Sequence, residues 1–154
     1  MNPGRQRAQR TPAPPANQHT LESVCARVHR RCILCGVTNR RGLRLRFEVQ
    51  PDGSVAAPFR CCDALQSYPG TLHGGLVSAL LDAAMTNVLF SVGIVAVTAE
   101  LTVRFLAPVR LRNRGVVRAW ITATSRLLYQ VRAEIEQGGV VVARASAKFL
   151  ARSA

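Results

Sequence analysis

Hydrophobic periodicity changes sharply along this chain near Gly93. Before it, residues 76–90 are rich in Leu and Ala with no internal Gly or Pro, which predicts a helix. Apolar side chains cover both of its sides, so the helix is expected to be buried. After Gly93 the period falls to two. Val95, Val97, Ala99, Leu101, Val103 and Phe105 lie on one side, and Thr98, Glu100, Thr102 and Arg104 on the other. That is a long strand, stopped by Pro108. Residues 115–125 form the next expected strand and 128–136 another, with Tyr129, Val131, Ala133 and Ile135 in register. Gly138-Gly139 reads as a hairpin turn before a last strand over 140–150. Upstream, residues 43–49 alternate apolar and charged, as a half-buried strand does. Pro51-Asp52-Gly53 is a turn signal, and 54–60 is the return strand.

Two strands, one long buried helix and four meandering strands make an α+β domain, an antiparallel sheet wrapped on one helix. Such a sheet leaves edges that invite pairing between chains, so a homodimer or a dimer of dimers is expected. The domain is assigned to residues 21–154. Residues 1–20 read as a basic, proline-rich tail, because Pro12, Pro14 and Pro15 oppose both helix and central strand.

Composition narrows the function. The chain is 154 residues long and 48% hydrophobic, the size of one domain with a real core. Its formal charge is +13, spread along the chain, and six arginines fall in the first 31 residues. Charge alone does not make a nucleic-acid binder, and the chain has no zinc-finger ligand set, RNA-recognition aromatic motif or helix-turn-helix. A basic surface would also attract an anionic nucleotide such as that of CoA. No membrane span is expected, since the longest apolar stretch holds Asp82 and Asn87, and a mid-bilayer Asp costs roughly 3 kcal/mol. The five cysteines, an odd number with no secretory signal before them, suit a reducing cytoplasm. Cys32-x-x-Cys35 looks like half a zinc site. Cys61-Cys62, being adjacent, does not supply the other half, so the pair is read as free thiols and no metal is expected. Cys61 and Cys62 lack a neighbouring base and are poor nucleophile candidates.

Asp82 is the one charged residue of the apolar helix, on a stripe with Gly75, Ser78 and Thr86. A carboxylate there is either satisfied by a neighbouring hydroxyl or strand backbone, or left in a polar pocket to work. His73-Gly74-Gly75 stands where the loop enters the helix. The first helical N–H groups have no internal partner, and the helix dipole favours developing negative charge near them. Glycine lets a ligand approach that backbone, as an oxyanion hole requires.

The segment from Tyr68 to Ala84, YPGTLHGGLVSALLDAA, resembles the signature of hotdog-fold acyl-CoA thioesterases of the PaaI-like branch. Residues 98–108 resemble the long strand that follows the helix in that family. Cys32-x-x-Cys35-Gly-x-x-Asn39 with Gly42-Leu43 resembles the entry segment of one subgroup. The match runs from about Cys32 to the C-terminus. The resemblance implies a hotdog fold, with active sites between protomers and acyl-CoA as substrate rather than cofactor. It implies Asp82 as general base or nucleophile from one subunit, and Gly74 as oxyanion donor from the other. His73 would position or polarise the thioester. Gly75, Gln66, Ser67 and Thr98 are expected around the substrate. Some relatives carry Asn where this chain has Ser67, and others carry His-Gln-Gly before the Tyr-Pro-Gly turn, where this chain reads Leu65-Gln66-Ser67. Arg126 at a strand start is read as a surface residue. The competing readings are a hotdog dehydratase or hydratase acting on acyl thioesters, and a non-catalytic acyl-CoA-binding module.

Overall fold

The structure, a computed structural model, describes residues 14–151. Its elements are α1 (Gln18–Val28), β1 (Glu48–Val49), β2 (Val55–Phe59), α2 (Gly74–Ser91), β3 (Ala96–Phe105), β4 (Gly115–Ser125), β5 (Leu128–Gln137) and β6 (Val140–Ala151), with a short 3-10 turn at Asp63–Leu65. Six strands make one sheet in the order β1-β2-β4-β5-β6-β3, every neighbouring pair antiparallel. The chain therefore leaves α2 for the far edge of the sheet and comes back through β4, so β3 has a neighbour on one side only.

The sheet wraps α2 because its inner face is apolar. Val55 and Ala57 of β2, Val117 and Ala119 of β4, Val131, Ala133 and Ile135 of β5, and Ala143, Ala145, Ala147 and Phe149 of β6 are all buried. Against them α2 buries Val77, Leu80, Leu81, Ala84, Met85, Val88 and Leu89. Each large side chain so buried contributes roughly 1.5–3 kcal/mol. The alanines of β6 let the helix come close. Gly115 does the same for Phe59, whose ring would lie 2.5 Å from any Cβ added there. By length and composition α2 could cross a membrane, but 67% of it is buried inside this fold. At the Gly138-Gly139 hairpin both residues have positive φ, 60° and 78°, as a two-residue type I′ turn requires.

Three expectations need correction. The first concerns the tail: Gln18, His19 and Thr20 are helical, because Asn17 caps α1 by accepting the Thr20 N–H at 3.0 Å. Leu21 and Val24, three residues apart, bury one face, and the Asn17 N–H donates to the Ser91 carbonyl at the end of α2. The remaining tail residues up to 13 lie outside the described residues. The second concerns residues 43–49, of which only Glu48–Val49 pair as a strand. Leu45 and Phe47 are buried as the alternation requires. Their segment, however, bonds to the loop at Ile33 and Leu34 and to the Gln18 side chain instead of to a strand. The third concerns β3. A bulge between Thr98 and Glu100 leaves Ala99 as an extra residue opposite β6. It reverses the alternation, so Thr98, paired with buried Phe149, joins Leu101, Val103 and Phe105 on the helix side, while Val97 turns outward beside Leu150.

Candidate active site

The loop before α2 is tightly organised. Tyr68-Pro69-Gly70-Thr71 closes with the Thr71 N–H on the Tyr68 carbonyl at 2.9 Å, and Gly70 has φ 72°. Proline then glycine at the two central positions is the preference of a type II turn. Gln66 pairs with Leu72, the Ser67 N–H donates to Thr71, and the His73 N–H donates to Leu65 at 3.0 Å. Leu72 and Gly70 are tied to Val109 and Leu111 of the loop after β3. The helix start is thus held from both sides. Gln66 and Ser67 sit exposed on this loop. The Gln66 side chain accepts from the Gly70 N–H at 3.4 Å, and the Ser67 hydroxyl has no partner among the described residues.

His73 is the N-cap of α2, and its Nδ1 accepts the Gly75 N–H at 2.9 Å. A neutral ring accepting at Nδ1 carries its proton on Nε2, so exposed His73 presents an N–H to solvent. The amides of Leu76 and Val77 both donate to the His73 carbonyl. That leaves Gly74: in the first turn its N–H alone has no partner among the described residues. An added Cβ at Gly74 would meet the Phe105 ring at 3.6 Å, an ordinary contact, whereas at Gly75 it would press on the His73 ring at 3.1 Å. Glycine at 75 therefore serves the histidine, and the open amide belongs to 74. Ser78 turns back to the Gly74 carbonyl at 3.0 Å, so it does not satisfy Asp82.

Asp82 stands two turns further along, half-buried. Its Oδ1 accepts from the Thr98 hydroxyl at 2.7 Å. Thr98 reaches it because of the bulge at Ala99. The eight steps from Gly74 to Asp82 span about 12 Å along the helix axis. Beside them runs the unpaired edge of β3, whose helix-side Leu101 and Phe105 are 36% and 55% exposed. Neither cysteine of the Cys61-Cys62 pair joins this group, and burial together with Cys62 pushes the Cys61 thiol up. A cavity of about 540 Å³ lined by Thr102, Arg104, Trp120, Arg132 and Arg144 lies on the opposite, polar face of the sheet and includes none of these residues. Arg126 is an exposed turn residue with φ 48° between β4 and β5.

Sequence alone did not find the Thr98–Asp82 contact, since simple alternation points Thr98 the other way. It also missed a second cluster of chemistry, where His29 Nδ1 and the sulfurs of Cys32 and Cys35 lie within 4.8 Å of one another. The signal for it was present as Cys25-x-x-x-His29 before Cys32-x-x-Cys35, hidden because α1 was not anticipated.

Residues 69–144 match the model of the thioesterase superfamily. No curated protein matches the chain. Among solved structures, a variant of the phenylacetic acid degradation protein PaaI from Thermus thermophilus is 25% identical, with TM-score 0.64, covering 70% of this chain and 93% of its own. A hypothetical thioesterase protein from Streptococcus pneumoniae, solved with coenzyme A, is 21% identical, with TM-score 0.66 and coverage of 71% and 89%. A thioesterase superfamily protein with TM-score 0.71 and 23% identity is longer. The match covers 75% of this chain but only 60% of that one. The family match runs from the Tyr-Pro-Gly turn through α2 into β6, and the six-stranded sheet around a central helix is shared. Residues 69–144 thus carry the thioesterase-superfamily match, and the chain has the hotdog fold of its structural neighbours, PaaI proteins among them.

Proposed function

We propose that this protein hydrolyses acyl-CoA thioesters at a site shared between two copies of the chain. The observation that carries the proposal is the spacing on α2. An acid and an open amide about 12 Å apart on one helix cannot flank a single carbonyl carbon. The bare, apolar edge of β3 supports a second copy pairing there, which would set Asp82 of one chain opposite Gly74 of the other.

The chemistry follows from the groups available. The thioester oxygen accepts the Gly74 N–H at the positive end of the helix dipole, with the His73 Nε2–H as a second donor. Asp82, held in one rotamer by Thr98, takes a proton from water as the water oxygen bonds to the carbonyl carbon. The adduct collapses as the C–S bond breaks, and CoA leaves as a thiolate that needs little protonation. Alternatively the Asp82 oxygen itself attacks, the same C–S bond breaks to leave an acyl anhydride on Asp82, and water then hydrolyses it. Gln66, Ser67 and Gly75 sit on the loop and helix start that would frame the thioester. The coenzyme A in the streptococcal relative supports this substrate class, and the positive surface suits a nucleotide carrying phosphates.

Thiol release from a panel of acyl-CoAs tests the reading. Asp82→Ala is expected to lower turnover about a hundredfold or more. Asp82→Asn separates a base from a mere spacer. Release that survives both substitutions would remove Asp82 from the mechanism. Tight acyl-CoA binding without release by the unaltered protein would identify a binding module instead.

A further inference from the structure

At the other end of α2, the ligand atoms of His29, Cys32 and Cys35 converge, with Cys25 beside them, where the thioesterase chemistry has no use for them. Cys25 lies in the last turn of α1, and His29, its C-cap, follows one turn later on the same face, with the His29 N–H on the Cys25 carbonyl at 2.8 Å. The chain then folds back tightly. The Cys32 N–H donates to His29 at 3.0 Å and the Gly36 N–H to Cys32 at 2.9 Å. No side chain fits at Gly36, where a Cβ would come within 2.4 Å of the Cys32 backbone. This turn sends the Cys32 and Cys35 sulfurs toward His29, and Nδ1 stands 3.5 Å from the Cys35 Sγ. The Cys25 side chain lies next to Cys35, beside this three-residue group.

Two features go beyond proximity. The sulfurs receive N–H donors, as thiolates do in metal sites. The Leu34 N–H points to the Cys32 Sγ at 3.4 Å, and buried Asn87 of α2 points Nδ2 to the Cys35 Sγ at 3.6 Å while also donating to the Ala83 carbonyl. The 3.5 Å between His29 and Cys35 also fits a metal, and the Cys32 sulfur lies within 4.8 Å of both. Bonds of about 2.3 Å to sulfur and 2.0–2.1 Å to nitrogen in a tetrahedron put the ligand atoms about 3.5–3.8 Å apart. The Phe90 ring, edge-on at 5.0 Å, fixes the imidazole.

We propose that His29, Cys32 and Cys35, joined on metal binding by the neighbouring Cys25, form a closed, structural site for a zinc ion that pins α1 and the 29–36 loop to the C-terminal half of α2. Three thiolates and an imidazole select zinc among the hard and borderline divalent ions. With four protein ligands the ion has no open position for water, so it serves the fold and not the hydrolysis. The test uses the full chain, purified under reducing conditions without chelator. Elemental analysis is expected to find zinc equimolar with protein. Cobalt(II) added to the chelator-stripped protein is expected to develop thiolate charge-transfer bands and the intense visible bands of a tetrahedral centre. Cys25→Ser, Cys32→Ser and Cys35→Ser are each expected to weaken zinc binding by at least about tenfold. Cys61→Ser and Cys62→Ser, away from the cluster, should leave it unchanged. Should the ligand variants fail to fold, the cobalt spectrum of the unaltered chain decides alone. Protein that takes up neither zinc nor cobalt, a Cys32–Cys35 disulfide in the reduced preparation, or undiminished binding by Cys32→Ser would each overturn the site. These readouts do not involve acyl-CoA, so they stand or fall separately from the proposed hydrolysis.

Discussion

The two ends of α2 are built on opposite principles. The N-terminal end is open: His73 is exposed, the Gly74 amide has no partner among the described residues, and the β3 edge beside it shows apolar side chains to solvent. The C-terminal end is sealed. From Ala83 to Ser91 every residue is buried and α1 lies across it, with Asn87 engaged by Ala83 and Cys35, and Ser91 by Val88. One helix thus carries an open backbone amide at one end and a closed, packed face at the other. Unsatisfied groups are costly in a protein interior and useful at a binding surface. Substitutions at the two ends should therefore fail in different assays.

The sharpest contrast comes from Gly74→Pro. Proline is accepted at the first helical position, and the preceding His73 already has the extended backbone, φ −59° and ψ 131°, that proline demands. The substitution removes the amide hydrogen and little else. It is expected to lower kcat about a hundredfold or more with an unchanged melting curve, while Gly74→Ala, which keeps the amide, should stay near the unaltered enzyme. Equal activity of the two variants would remove the amide from the mechanism. At the closed end, Leu89→Ala should do the reverse. Emptying a fully packed position costs about 2–5 kcal/mol of stability, visible as a lower urea midpoint, with turnover of the folded fraction retained. A smaller effect lies between the two ends. Thr98→Val keeps the shape of the side chain and deletes its hydrogen bond to Asp82, worth roughly 1.5 kcal/mol or more to a charged partner. About a tenfold loss in kcat is expected, with Thr98→Ser close to normal. If valine were silent, the carboxylate would be held by something else.

Much of this was legible in advance where a single face is buried. β4, β5 and β6 follow their alternation because Val117, Val131, Ile135 and Ala145 all need the same core, and α2 follows from an apolar run without Gly or Pro beyond its start. The failures have equally local causes. α1 escaped notice because prolines precede it and only Leu21 and Val24 mark its inner face. Residues 43–47 alternate correctly but spend their hydrogen bonds on a loop, which periodicity does not report. In β3, one extra residue at Ala99 reverses the pattern, and side-chain period carries no mark of a bulge. His73, Gly74 and Asp82 stood out by residue type and by family resemblance, whereas the division of labour between the two glycines required the hydrogen bonds themselves.

The separation of Asp82 from Gly74 along a straight rod has a genetic consequence. A chain lacking the acid still offers a sound amide, and a chain lacking the amide still offers a sound acid. When Asp82→Ala and Gly74→Pro chains are unfolded together and refolded as a mixture, the proposed shared site predicts that some pairs are hybrids. Each hybrid regains one intact centre from two crippled parents and loses the other entirely. Activity returning in the mixture, absent from either parent alone, would count the chains that meet at each centre. Its failure to return would mean that each chain works by itself.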